Sequence, residues 1–419
     1  MDIFDHLESN VRSYCRMWPT VFDRAQGSYL YDEGGRPYLD FFSGAGALNY
    51  GHNHPKLKRA LLDYLADDRI VHGLDMQTVA KREFLERFRA VVLEPRGLEY
   101  KVQFPGPTGT NAVEAALKLA RKITGRHTVV SFTNAFHGMT IGSLAVTGNS
   151  MKRESAGVPL TPTPMPYDNY LDGRTPDFIW FESLLQDSGS GLNTPAAVIV
   201  ETVQGEGGVN VARPEWLHRL SNLCREHDML LIVDDVQMGC GRTGPFFSFE
   251  LAGIDPDIVC LSKSIGGYGL PMALTLFKPE LDVWDPGEHN GTFRGDNPAF
   301  VTATSALDFW TDGELERSTA AKGEQVERNL AAIAERHDGE GAAYRGRGLV
   351  WGLTFDDARL ADEVSAAAFE RGLLVETSGP ESEVVKLLPA LTTSDDELQR
   401  GLEVLAESVD KTCATHATA

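Results

Sequence analysis

Through the middle of the chain, short and almost wholly apolar runs alternate with longer stretches in which apolar residues recur every third or fourth position. The runs are TVVSF (128–132), AAVIVETV (196–203), MLLIVDDV (229–236), DIVCLS (257–262) and MALTLF (272–277). A strand buried on both faces reads as an unbroken apolar run, because helices cover it from above and below. The stretch PEWLHRLSNLCREHD (214–228) has helical spacing and is long enough for a crossover between parallel strands. The pattern predicts an α/β, doubly wound domain with a large, mostly parallel sheet over 51–312. Beyond it, ELERSTAAKGEQVERNLAAIAERH (314–337) predicts a long linking helix. GRGLVWGLTF and a second helix–strand set follow, so 313–419 forms a smaller α+β domain. The opening GSYLYDEGGRPYLDFFSG predicts two short strands around an Asp-Glu-Gly-Gly turn. Residues 1–50 are expected to pack on the small domain, which both chain ends then build.

Composition narrows the partners. With 42% hydrophobic and 24% charged residues in 419 positions, there is enough apolar surface for a core without disulfides or structural metal. Net charge is 39 − 60 = −21, which repels nucleic acid and anionic lipid and excludes both as partners. The five cysteines (Cys15, Cys224, Cys240, Cys260, Cys413) show no paired spacing, which points to free thiols in a reducing compartment, the cytoplasm. The start MDIFDHLESN carries acids where an export signal carries bases, and no apolar run is long enough to span a membrane.

Two charged residues stand out against this background. Asp234 closes the run MLLIVD at the carboxyl edge of the sheet, where open α/β folds bind ligands. Lys263 closes the next run, so neighbouring strands deliver a carboxylate and an amine to one crevice. Either residue alone reads as a surface salt bridge; the flanking loops favour a site. Asp235 is expected to be structural, because alternate side chains on a strand face opposite ways. PGPTGTNAVEAALKLARK (105–122) is a glycine-containing turn opening a helix, with Thr110 or Asn111 as cap and Glu114 placed for a capping box. Such a helix start holds a phosphate dianion well. NAFHG (134–138) offers Phe136 as a flat face for a planar ring. A competing reading builds a metal-dependent hydrolase on His52 and His54 of GHNHP with Asp234, but those histidines lie between turn formers and lack a clear third ligand. No Gly-x-Gly-x-x-Gly or P-loop supports a nucleotide-binding dehydrogenase.

Taken together and in order, PTGTNAVEAALKLAR, NAFHG, ETVQGEGG, LIVDDVQMGCGRTGPFF and SKSIGGYGLP resemble the class III aminotransferases of pyridoxal 5'-phosphate (PLP) fold type I. The resemblance implies PLP as cofactor, with Lys263 as the Schiff-base lysine and Asp234 paired with the pyridine nitrogen. Gln237 would contact the ring hydroxyl, Gly109 and Thr110 hold the phosphate, and Phe136 stack on the ring with His137 beside it. Thr292, in HNGTFRGDNP, matches a threonine that reaches the phosphate of a neighbouring subunit, which implies a homodimer at least. No metal is called for.

Nearly the whole chain takes part in this likeness. ESNVRSYCRMWPTVFDRAQG, GAGALNYGHNHPKLKRALLDYL, VHGLDMQT and YKVQFPGPTGTNAVEAA are similar to the 2,4-diaminobutyrate:2-oxoglutarate aminotransferases, particularly those of ectoine biosynthesis. The implied reaction moves the amino group of L-glutamate to L-aspartate 4-semialdehyde. Transfer to ornithine or 4-aminobutyrate partners, or an aminomutase, is the nearest alternative. Glu201 and Glu206, both from ETVQGEGG, and Lys386 are the expected substrate contacts. Relatives pair the glutamate at position 206 with an arginine, and VVKLLPAL puts Lys386 where that arginine is expected. Lysine keeps the charge and gives up the bidentate grip on a carboxylate; a lysine at a strand end facing water is the bland reading.

Overall fold

The computed structural model describes residues 3–157, 163–171 and 178–416. A seven-stranded sheet organises it, in the order Lys101–Gln103, Leu274–Phe277, Ile258–Leu261, Leu230–Asp234, Ala197–Val200, Val129–Phe132 and Thr163–Met165. From Ile258–Leu261 to Thr163–Met165 every pairing is parallel, while Leu274–Phe277 runs antiparallel to both of its neighbours.

Alternation along each strand decides which residue meets which layer. Ile232 and Ile258 face helix Gly109–Thr124, packing with Val113, Ala116 and Leu117. Leu231, Val233 and Val259 face the other way, into the layer that holds Trp216 and Leu220 of helix Pro214–Glu226. There the Trp216 and Phe132 rings meet edge to face at 5.0 Å. A buried aromatic of this kind stabilises by several kcal/mol, roughly 3–5 on truncation to alanine. The same alternation separates the two acids at the strand end. Asp234 continues the Ile232 face, whereas Asp235 turns back and accepts from Ser248 N at 3.0 Å. Burial pushes the Asp235 carboxyl up to about 7, the state of an acid kept for structure rather than charge.

The opening hairpin Tyr29–Asp32 and Pro37–Asp40 pairs, through its second strand, in parallel with Leu373–Leu374. Next to it lies a four-stranded sheet of Ala343–Arg347, Val350–Thr354, Val384–Leu387 and Glu376–Ser378. Long helices Glu314–Arg336 and Asp395–His416 pack on this part of the chain. Arg242, wholly buried, clasps it to the large sheet: its guanidinium donates to Leu349 O at 2.8 Å and to Asn49 Oδ1 at 2.6 Å.

Candidate active site

Lys263 begins the turn after strand Ile258–Leu261, and Asp234 ends the parallel strand beside it, with Asp234 in register with Cys260. Lys263 holds a left-handed backbone, φ +54°, which costs a non-glycine residue roughly 1–3 kcal/mol and is the sort of strain found at functional sites. Its Nζ donates to Ala45 O at 2.9 Å. Burial, only partly opposed by Glu206, holds the Lys263 ammonium below the ordinary lysine range, so the free amine forms more readily.

Asp234 accepts from Val236 N at 3.1 Å, and its other oxygen lies 2.7 Å from His137 Nδ1. Burial alone would lower the His137 value, but the hydrogen bond to Asp234 and that residue's charge raise it above the usual range. His137 Nε2 and Gln237 Oε1 are buried polar atoms with no hydrogen-bond partner among the described residues. Gln237 Nε2 donates to Ala45 O at 2.9 Å and to Glu206 Oε1 at 3.1 Å.

Gly109, Thr110, Phe136, His137, Glu201, Glu206, Asp234, Gln237 and Lys263 all line one cavity of about 290 Å³. That volume sits at the small end of ligand pockets, roughly 300–1,000 Å³. Helix Gly109–Thr124 points its N-terminus at the cavity. The helix cap is Thr108, not the expected Thr110 or Asn111, and Asn111 Oδ1 accepts from Thr108 N at 3.3 Å. Glu114 therefore falls on the second turn and takes Gly142 N at 2.9 Å and Ser143 N at 3.2 Å, fixing the loop after His137. Gly138 in that loop has φ +124°, and a Cβ there would meet Thr110 Oγ1 at 2.5 Å, so only glycine lets the loop close on the helix start.

Glu201 accepts from Phe136 N at 2.9 Å, and burial raises its carboxyl well above the usual range. Phe136 stands in the wall with Lys152 Nζ 4.3 Å from its ring centroid. Thr292 is elsewhere: it is exposed, away from this cavity, and its carbonyl accepts from His72 Nε2 at 2.8 Å. Lys386 does not face water. It is fully buried behind Glu206, with Nζ 2.7 Å from Glu206 Oε1 and 3.0 Å from Glu376 Oε1. The two carboxylates outweigh burial and hold Lys386 charged. Burial would raise Glu206, but Lys386 and Lys263 win and hold it at about 2. Glu376 was not foreseen in the sequence, although an acid closing the apolar run LLVE is a signal of the same kind as Asp234.

The hydrolase reading finds no support in GHNHP: His52 Nε2 bonds Asp40 Oδ2 at 2.7 Å, and the His54 ring packs edge-on against Phe309. Among the described residues the one group of three placed to share a metal is His337, Glu340 and Cys413, which includes neither histidine.

The profile of the family Aminotransferase class-III matches residues 11–409. The chain belongs to the class III aminotransferases. This aminotransferase is 68% identical, over 98% of both chains, to a diaminobutyrate–2-oxoglutarate transaminase of Streptomyces avermitilis. Its structure is similar to that of the ornithine aminotransferase of Toxoplasma gondii, with a TM-score of 0.84 and 26% identity, covering 99% of this chain and 94% of the other. An amine transaminase from an uncultivated Pseudomonas species, solved in its PLP-bound form, gives a TM-score of 0.84 at 27% identity, covering 98% and 99%. The seven-stranded sheet of this aminotransferase is thus the fold type I arrangement, with the cavity at the carboxyl ends of its parallel strands.

Proposed function

We propose that this enzyme is a PLP-dependent diaminobutyrate–2-oxoglutarate transaminase, moving the amino group of L-glutamate to L-aspartate 4-semialdehyde to give 2-oxoglutarate and L-2,4-diaminobutyrate. One observation carries the reading, 68% identity over 98% of the chain to a protein of that name, and the cavity lined by both Lys263 and Asp234 fits it. The residues present fit PLP. A helix N-terminus with Gly109 and Thr110 suits a phosphate, Gln237 Oε1 and His137 Nε2 lack partners among the described residues, and the Asp234 carboxylate suits a protonated ring nitrogen. When bound, PLP supplies an aldehyde for the amine and a ring that draws electrons from the reacting carbon.

Each side chain then has a task. Lys263 would supply the amine that holds the cofactor and, once substrate has displaced it, the base that moves a proton. Asp234, oriented by His137 at 2.7 Å, would pair with the ring nitrogen. Phe136 would offer the ring a flat face. Thr292 is exposed beside Phe293, Ile70, Val71, Leu74 and Met76, an apolar surface that supports a homodimer in which Thr292 reaches the neighbouring subunit's phosphate. Residues 1–50 and 313–419 are proposed as one small domain beside the cofactor domain 51–312. Five free cysteines support a cytoplasmic site, and no described helix is long and apolar enough to cross a membrane. Ectoine formation is the proposed pathway.

The loaded protein should absorb visible light, and L-glutamate alone should bleach it. A panel of semialdehydes offered to the bleached protein should restore the colour fastest with L-aspartate 4-semialdehyde. A colourless protein that PLP cannot reconstitute overturns the reading.

Lys386 is proposed to serve the carboxylate that L-glutamate carries on its reacting carbon and that the terminal carbon of diaminobutyrate lacks. Lys386→Met keeps the stem and removes the charge. It should lower kcat/KM for L-glutamate roughly tenfold to a hundredfold more than for diaminobutyrate, the worth of about 1.5–3 kcal/mol for a charged hydrogen bond. Single-turnover rates for each amine check it, and equal losses would mean that Lys386 only holds the fold.

A further inference from the structure

The Lys386 cluster has one cation too few for the work assigned to it. Lys386 Nζ already serves two carboxylates, Glu206 at 2.7 Å and Glu376 at 3.0 Å, and both Lys386 and Glu376 are shut off from water. Glu206 lines the cavity, while Lys386 and Glu376 stand behind it. Glu376 and Lys386 are register partners on adjacent antiparallel strands, so backbone pairing fixes this contact. Glu206 lies beyond strand Val203–Gln204 in a turn and is the partner able to give way. A substrate carboxylate arriving there is a third buried anion around one ammonium, an arrangement that low-dielectric surroundings penalise heavily unless a proton enters.

Resting on the transaminase reading above, we propose that a substrate carboxylate binds beside Lys386 together with one proton, and that Glu376 is the residue that takes it. Glu376 is thus a positioning residue: neutral, it leaves the Lys386 charge to the substrate and to Glu206.

The groups facing Glu376 agree. Lys386 comes from the paired strand, Glu206 from the turn, Lys263 from the sheet edge, and Tyr14 from the short helix Tyr14–Met17. Helix Arg359–Glu370 packs on the same strand, but its Asp362 bonds Thr377 Oγ1 at 3.0 Å, on the opposite face. Burial, opposed by Lys386 but helped by the Glu206 charge, brings the Glu376 carboxyl up to about 7, whereas Glu206 sits near 2, so Glu376 is the carboxylate ready to accept a proton. The sign follows from linkage: a proton taken up on binding makes affinity greatest below about pH 7, and affinity is lost by up to tenfold per pH unit above it.

Glutarate, a dicarboxylate with no amine to react, is the probe. It is titrated calorimetrically into the PLP-loaded enzyme at pH 8, in buffers of different ionisation enthalpy. Wild type should take up about one proton per glutarate, and Glu376→Gln close to none while still binding. Uptake retained in Glu376→Gln assigns the proton elsewhere and overturns the proposal, as does binding to wild type without uptake, or no binding. Should Glu376→Gln not fold, difference infrared spectra of wild type with isotope-labelled glutarate decide: a new protonated-carboxyl band supports the proposal and its absence overturns it. Bleaching by L-glutamate reports the transaminase reading separately. Bleaching without glutarate-linked uptake sinks this proposal alone.

Discussion

Lys263→Ala is expected to fold, to keep PLP through its phosphate and ring contacts, and to lose turnover with both L-glutamate and diaminobutyrate by roughly 10⁴-fold or more. The size follows from two tasks meeting in one atom. On the proposed reading Nζ would be both the amine that joins the cofactor aldehyde and the base that carries the proton, so no neighbouring group would cover the loss. Glu201 and His137 line the same cavity, but each is already engaged, Glu201 by Phe136 N and His137 by Asp234. The fold should tolerate the change. Among the described residues only Ala45 O loses a hydrogen bond, and it keeps the one from Gln237 Nε2, while the left-handed backbone at φ +54° strains alanine no more than lysine. Thermal unfolding should shift little, the cofactor should come off in denaturant without reduction, and single-turnover traces should be flat. Near-normal turnover in this variant would remove Lys263 from the mechanism.

Why Lys263 and Asp234 were legible in the sequence is a matter of local physics. A buried strand reads as an apolar run, and a charged residue closing the run must lie at the sheet edge. No tertiary knowledge is needed for that inference, and the strands Leu230–Asp234 and Ile258–Leu261 stand side by side as expected. Alternation also foretold that Asp235 would turn away. What periodicity could not show depends on contacts between distant segments. Lys386 meets Glu206 across 180 residues, a pairing that only the family resemblance pointed to, and Lys263 meets Ala45 across 218, which nothing in the sequence pointed to. Ser43, Gly44, Ala45 and Gly46 all take left-handed backbone, which puts the Ala45 carbonyl where both Lys263 and Gln237 donate to it. The local signal was only the Gly-Ala-Gly of FFSGAGALNY. Strands Lys101–Gln103 and Thr163–Met165 are too short to stand out as runs. The helix cap was misplaced because Thr108, Thr110 and Asn111 are all competent caps, and the choice went to the residue that left Glu114 free to hold Gly142 and Ser143.

Asp234→Asn isolates charge from shape. The amide can still accept from Val236 N, which Asp234 Oδ1 does at 3.1 Å, and can still reach His137 Nδ1, now 2.7 Å from Oδ2. The negative charge that would keep the cofactor's ring nitrogen protonated is gone. Half-reactions with either amine should therefore slow by roughly 10²–10³-fold, the usual scale for removing one preorganised electrostatic contact, while cofactor content falls much less. A second, independent readout lies in the histidine. The Asp234 hydrogen bond and charge raise His137 above its ordinary value of 6.5, so the pair's contribution to stability is complete below that pH and is lost as pH rises through the raised value. In the asparagine variant that loss on the alkaline side should vanish, with wild type and variant converging in thermal stability as pH increases. If rate and cofactor content fell together, Asp234 would be an anchor for the cofactor and its electronic role would have no support.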